Sequence, residues 1–204
     1  MKFVMAMLFA AGLLAGAAWG QTTSTAAAPK QPQVLRVPAI EVPPELARRG
    51  VQGEPVLKGM VQPDGTITDV EIIETSHSPE LDAFAKSILL QVTFEPVVVD
   101  GVKVAAPYEN AIALYKDHAT NLRAKTCADL NVDVAYFLAT FPDKPVKDMR
   151  VATMSLGLLF TASYQGTMSV DAIKCSRGAF ERTVGWCANH PSDLFFDSFV
   201  KMAK

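Results

Sequence analysis

The side chains with the most chemistry to offer in this 204-residue chain are three histidines, three cysteines and a few carboxylates placed in turns. His77, His118 and His190 could ligate a metal or carry protons. They are scattered, each beside turn residues or a domain boundary, with no HExxH, CxxC or His–Cys grouping to fix a coordination geometry. They read as surface histidines, and no metal or cofactor is expected. Asp64 and Glu95 could be imagined as an acid–base pair, but no Gly-rich phosphate loop and no GxSxG elbow accompanies them. The chain therefore reads as a non-enzyme without catalytic residues. Cys127, Cys175 and Cys187 allow one bridge and one spare thiol at most. Cys175 and Cys187 are 12 residues apart, so a helix interrupted near Gly178 could join that pair; Cys175 could instead be a buried thiol or bridge to another molecule.

Where the chain resides decides what its cysteines do. Lys2 precedes an apolar run, Phe3 to Trp19, that closes on Ala18-Trp19-Gly20. A basic start, an apolar centre and a small-x-small end make residues 1–20 a secretory signal peptide, cut before Gln21. The rival is an uncleaved anchor, since 18 residues, Phe3 to Gly20, could just span a bilayer. Export to a periplasm permits a disulfide. From Glu41 to His118 there are 6 basic and 13 acidic residues, a net of −7; from Ala119 to Lys204 there are 10 and 8, a net of +2. An acidic module followed by a faintly basic one is implied, and neither balance suggests nucleic acid.

The elements follow from turn residues and periodicity. Residues 21–42, with Pro29, Pro32 and Pro38, read as a flexible tether. Pro44 to Arg49 suits a short helix stopped at Gly50. Pro55–Val61 and Ile67–Glu74 read as an antiparallel pair around Asp64-Gly65, although the second strand alternates too poorly to name its buried face. Ser78 caps a helix with Pro79 at its first position, and Leu81, Phe84, Ala85, Ile88, Leu89 and Val92 form one apolar stripe. Phe94–Val99 and Tyr108–Tyr115 read as further strands, with Asp100-Gly101 as a turn. From Thr126 the period becomes helical. Cys127, Leu130, Val134, Phe137, Leu138 and Phe141 make one stripe, ended by Pro142; Met149, Ala152, Thr153, Leu156, Leu159 and Phe160 lie on a second. Ser169 caps a third helical region running through Phe180, Val184 and Cys187, and Ser192 caps a last helix with Phe195, Phe199 and Met202. The aromatic tail can pack as core or face a client or dimer partner.

Pro44, Gly50, Gly53, Pro63-Asp64-Gly65, the Leu81-Asp82 helix start, Phe94-Glu95-Pro96 and Asp100-Gly101 occur in an order that resembles the C-terminal domain of the TonB family. The resemblance covers residues 43–115 and implies a periplasmic module that recognises peptides by adding strands to a sheet edge. Two departures stand out: Phe3 to Gly20 lacks the polar Ser and His of energised family anchors, and the Pro-rich spacer is short. Coupling to a proton-driven inner-membrane motor is therefore not implied. Thr126-Cys127-Ala-Asp129-Leu130 and Trp186-Cys187-Ala-Asn-His-Pro191 resemble the small HdeA-like acid-stress chaperones of the periplasm. That resemblance implies a Cys127–Cys187 bridge and leaves Cys175 spare, a departure from the family pattern.

The expected fold class is thus α+β, a TonB-like antiparallel sheet with one packed helix (43–116), a linker (117–125) and a disulfide-linked four-helix domain (126–204). The expected function is that of an exported adaptor binding an envelope protein or peptide, such as an outer-membrane protein, with an acid-stress chaperone as the alternative. The membrane is a partner only if residues 1–20 stay attached, and a homodimer is a further option. The candidate binding edge is Ala111, Ile112, Ala113, Leu114 and Tyr115; the competing reading is a fully paired strand with an aromatic end.

Overall fold

A computed structural model describes residues 31–164 and 178–203, which belong to one compact unit. In chain order its elements are β1 (Gln33–Arg36), α1 (Pro44–Arg48), β2 (Val56–Val61), β3 (Ile67–Glu74), α2 (Pro79–Leu89), β4 (Thr93–Glu95), β5 (Val97–Val99), β6 (Val102–Val104) and β7 (Ala106–Ala111). The helices α3 (Cys127–Thr140), α4 (Arg150–Tyr164), α5 (Ala179–Cys187) and α6 (Phe195–Met202) follow. The class is α+β with antiparallel pairing throughout.

The Asp64-Gly65 turn shows why the sheet forms where it does. Gly65 has φ +87°, and a Cβ there would lie 2.4 Å from the Phe94 carbonyl oxygen. Glycine is needed both for the backbone conformation and for the space. Asp64 Oδ1 accepts from the Thr66 amide at 2.9 Å and the Thr66 hydroxyl at 2.7 Å, which holds its pKa below the ordinary aspartate range. The strands emerging from this turn join a three-stranded sheet in the order β3–β2–β7. The poor alternation of β3 has a cause: Asp69 bulges at φ +54°, and the β2–β3 register shifts twice along its length. Of β3's side chains only Ile67 and Val70 reach the core.

Helix α2 closes that core as its sequence predicts. Ser78 Oγ accepts from the Leu81 amide, and Leu81, Ala85, Ile88 and Leu89 are buried against Leu57, Val61, Phe94 and Tyr108. Asp82, on the opposite side of the first turn, gathers the preceding loop. It accepts from Thr75 Oγ1 at 2.5 Å, the Ser76 amide at 2.8 Å and Ser76 Oγ at 2.6 Å. Burial opposes its charge, but the Ser76 and Thr75 hydrogen bonds outweigh burial and hold its pKa low. A lowered carboxylate stabilises above its unfolded-state value and stops doing so as pH falls through the native one. Asp82→Asn should therefore cost about 1–3 kcal/mol near neutrality. Urea midpoints for the two proteins should differ clearly at about pH 6, and the gap should narrow progressively once pH falls below the ordinary aspartate value of 3.8. A gap that stays constant through that fall would mean that the carboxylate charge is not what orders the loop.

Several boundaries differ from those expected, each for a local reason. Part of the expected tether, Gln33–Arg36, is a strand that pairs with β4, because that short strand offers free main-chain groups to an extended segment. The expected Phe94–Val99 strand is broken at Pro96, which lacks an N–H; β4 goes to β1, while β5 forms a hairpin with β6. Asp100 and Gly101 both take positive φ, +51° and +80°, as a two-residue hairpin turn requires. The last strand is Ala106–Ala111 rather than Tyr108–Tyr115.

In the helical part, α3 begins with a capping box in which the Thr126 and Asp129 side chains each bond the other's amide. The buried face of α4 is Val151, Ala152, Ser155 and Leu159, with Thr153 and Phe160 turned out. Ser155 can be buried because its hydroxyl donates to the Val151 carbonyl at 2.7 Å. Helix α6 starts after Leu194 instead of Ser192: Leu194 bridges to Thr126 and the Phe195 amide donates to the Lys125 carbonyl, so neighbouring main chain replaces a side-chain cap. The tail aromatics Phe195, Phe196 and Phe199 are core residues. Cys127 and Cys187 form a disulfide that ties α3 to α5, and both are fully buried. Ser169 and Cys175 lie outside the described residues.

The two apolar clusters meet along α3. Gly50, at φ +72°, lies so close that a Cβ would approach the Val132 carbonyl oxygen to 2.9 Å. Beside it, fully buried Asp133 contacts Lys125 Nζ at 2.5 Å through Oδ2 and Lys116 Nζ at 2.6 Å through Oδ1. Lys125 also grips Asp117 at 2.9 Å and 3.0 Å, and Lys116 donates to the Ala47 carbonyl in the last turn of α1.

Candidate peptide-binding edge

Strand β7 pairs with β2 in constant register, from Val61 opposite Ala106 to Val56 opposite Ala111. Beyond it the chain keeps alongside: Ile112 donates to the Pro55 carbonyl at 2.9 Å, and Leu114 exchanges bonds of 2.9 and 3.1 Å with Gly53. In an antiparallel pair alternate residues turn both main-chain groups to the partner and the rest turn theirs away. The even-numbered residues face β2. Pro107, Glu109, Ala111 and Ala113 therefore direct their main-chain groups outward, and among the described residues no strand pairs with that side.

The five expected edge residues take up different roles. Ala111 ends β7 with its main chain outward, and exposed Ala113 continues that edge. Ile112 is half-buried against the core, Leu114 is wholly buried, and half-buried Tyr115 lies beneath the Arg150 guanidinium, 4.1 Å from its ring centre. The segment Ile40–Val42 faces Ala113 and Tyr115 across a cleft of about 370 Å³, so the open run of edge is centred on Pro107–Ala111. Pro107 and Glu109 were not among the expected residues. The signal that could have found them is the proline itself, which in a strand belongs where no N–H is needed by a neighbour.

The other sequence candidates serve local structure. Asp64 closes its own turn, as described above. His77 sits edge-on to Phe141 at 4.8 Å, the His118 amide donates to Asn121, and His190 stacks on Trp186 at 3.7 Å. Among the described residues no group of three or more His, Cys, Asp or Glu side chains could hold a metal ion.

Residues 38–113 match the family described as the Gram-negative bacterial TonB protein C-terminal. This stretch is TonB C-terminal-like. It contains α1, the β3–β2–β7 sheet, α2 and the outward edge. The solution structure of the Pseudomonas aeruginosa TonB C-terminal domain is similar at 23% identity and a TM-score of 0.37, over 43% of this chain and 88% of that one. No curated protein matches the chain.

Proposed function

We propose that this chain is a non-enzymatic, exported adaptor of the cell envelope that binds an extended segment of an envelope protein along the outer edge of β7. The observation carrying this reading is the row of outward main-chain groups at Glu109, Ala111 and Ala113, on a TonB C-terminal-like stretch. An added strand would gain a ladder of hydrogen bonds there, and its alternate side chains would supply selectivity. The exposed side chain of Glu109 and the acidic balance of the surrounding stretch favour a segment with basic residues at alternate positions.

The test is a photo-crosslinking residue at Ala113 in intact cells, with and without Ala111→Pro. That proline would remove one outward donor while leaving the β2–β7 ladder whole. One dominant captured protein, lost in the proline variant while hydrogen exchange in β2 stays slow, is the expected result. A diffuse set of captured proteins that grows on acidification would replace this reading with the acid-stress chaperone. Capture that ignores the proline would exclude strand addition at β7.

A further inference from the structure

A second candidate site lies where the segment after β7 meets the helices, around Gly53 and Tyr115. The residues 52–54, the loop 75–77, Tyr115, the end of α3 and the start of α4 enclose a pocket of about 280 Å³. Tyr115, Tyr136, Phe137 and Phe141 make one wall aromatic, and Thr75, Ser76 and His77 make another polar. Two cations stand over those rings: Arg150 is 4.1 Å from the centre of Tyr115, and Lys144 Nζ is 4.6 Å from that of Phe141. Among the described residues neither has a carboxylate within ion-pair distance. The single acid in the lining, Glu54, lies 3.4 Å from the Tyr115 hydroxyl.

This combination is selective. A cation resting on a ring keeps its charge available, because the ring attracts it without neutralising it. Two such cations beside a cavity with aromatic side chains on one wall favour a ligand that is planar and apolar at one end and anionic at the other. The volume, at the lower end of small-molecule sites, suits one ring with its acid rather than several residues of chain. The wall formed by His77 is also held in place: this non-glycine residue sits at φ +66°, a conformation that side chains rarely adopt, and is kept there by the loop bonded to Asp82.

We infer that this pocket binds an aromatic carboxylate, the chemistry shared by a free aryl acid and by a polypeptide ending in an aromatic residue. Both modules contribute lining, so the occupant would also brace the β-rich part against the helices.

The experiment is a calorimetric and amide-NMR titration of the full chain with 3-phenylpropionate, its uncharged amide, and the tripeptide Gly-Gly-Phe with a free carboxylate. The expected result is saturable binding of the acid with shifts at Gly53, Ser76 and His77, and at least roughly tenfold weaker binding of the amide, the scale of one charge-assisted contact. Lys144→Gln with Arg150→Gln, both exposed positions, should remove the preference for acid over amide while the spectrum stays folded. Tighter binding of the tripeptide would identify the source as a chain terminus, and equal or weaker binding would identify a free acid. No saturable shifts, acid and amide binding alike, or an unchanged preference in the double variant would each overturn the site.

Discussion

Replacing Asp133 by alanine should destabilise the chain by about 3–5 kcal/mol, the scale expected when one partner of a buried ion group is removed. The size follows from what is left behind. Asp133 has no exposed surface, and its two oxygens are each held by a different lysine, Lys125 and Lys116. Without it, Lys125 stays in a nearly closed site with only Asp117, and Lys116 keeps the Ala47 carbonyl alone. Lys125→Met should cost a similar amount, since it leaves Asp117 without its lysine and Asp133 with Lys116 alone. The double variant Lys125→Met with Asp133→Leu should cost clearly less than the sum, because each single change takes a partner from a buried charge that the other removes. Chemical denaturation of the three variants measures this directly; strictly additive losses would mean that the cluster is solvated and energetically unimportant. Alkaline titration gives an independent check. Burial opposes the Lys125 charge, but Asp133 and Asp117 outweigh it and raise its pKa. A raised lysine stabilises fully below its unfolded value, about 10.5, and that stability disappears as pH rises through the higher native value. The Lys125 contribution is therefore complete at neutral pH and lost in strong base. At the acid end burial raises the Asp133 pKa above the ordinary aspartate value, so the cluster also loses its central charge as pH falls.

The same cluster illustrates what a sequence conceals. Lys116, Asp117, Lys125 and Asp133 obey no helical or strand period, and nothing in their spacing sets them apart from solvated surface charges. They converge because Gly50 lets α3 approach the end of α1, a tertiary event. The aromatic pocket is hidden for the same reason, its lining being drawn from five separate stretches. By contrast, features written in local chemistry were legible. Ser78-Pro79 starts α2, and the stripe Leu81, Ala85, Ile88, Leu89 is its buried face. Asp64-Gly65 is a turn, and the Phe94 of the family-like motif packs its main chain on that glycine. Intermediate cases failed by small geometric amounts. One bulge at Asp69 scrambles the period of β3, and one proline at position 96 divides a single apolar run between two sheets.

Loss of the Cys127–Cys187 bridge, by Cys187→Ser or by reduction, should cost about 4 kcal/mol, and the cost should fall on the helices. The bond closes a loop of 60 residues. In the chain-entropy account, a loop of that length restrains the unfolded state by about 4 kcal/mol. A helical part this small rarely gains more than about 3–5 kcal/mol from its core alone, so the helices should become marginal without the bridge. Serine in that fully buried site would add an unpartnered hydroxyl, which makes reduction the cleaner perturbation. The β-rich part has its own core of Leu57, Val61, Leu81, Phe94 and Leu114, and none of those residues depends on the bridge. Hydrogen exchange after reduction should therefore quicken in α3 and α5 by orders of magnitude while β2 and α2 stay protected. Uniform loss of protection would show that the two apolar clusters unfold as one unit, with the buried ions of Asp133 transmitting the collapse. Protection unchanged in α3 would show that the Leu130–Phe180–Phe195 core suffices by itself, and that the bridge restrains a chain already held in place.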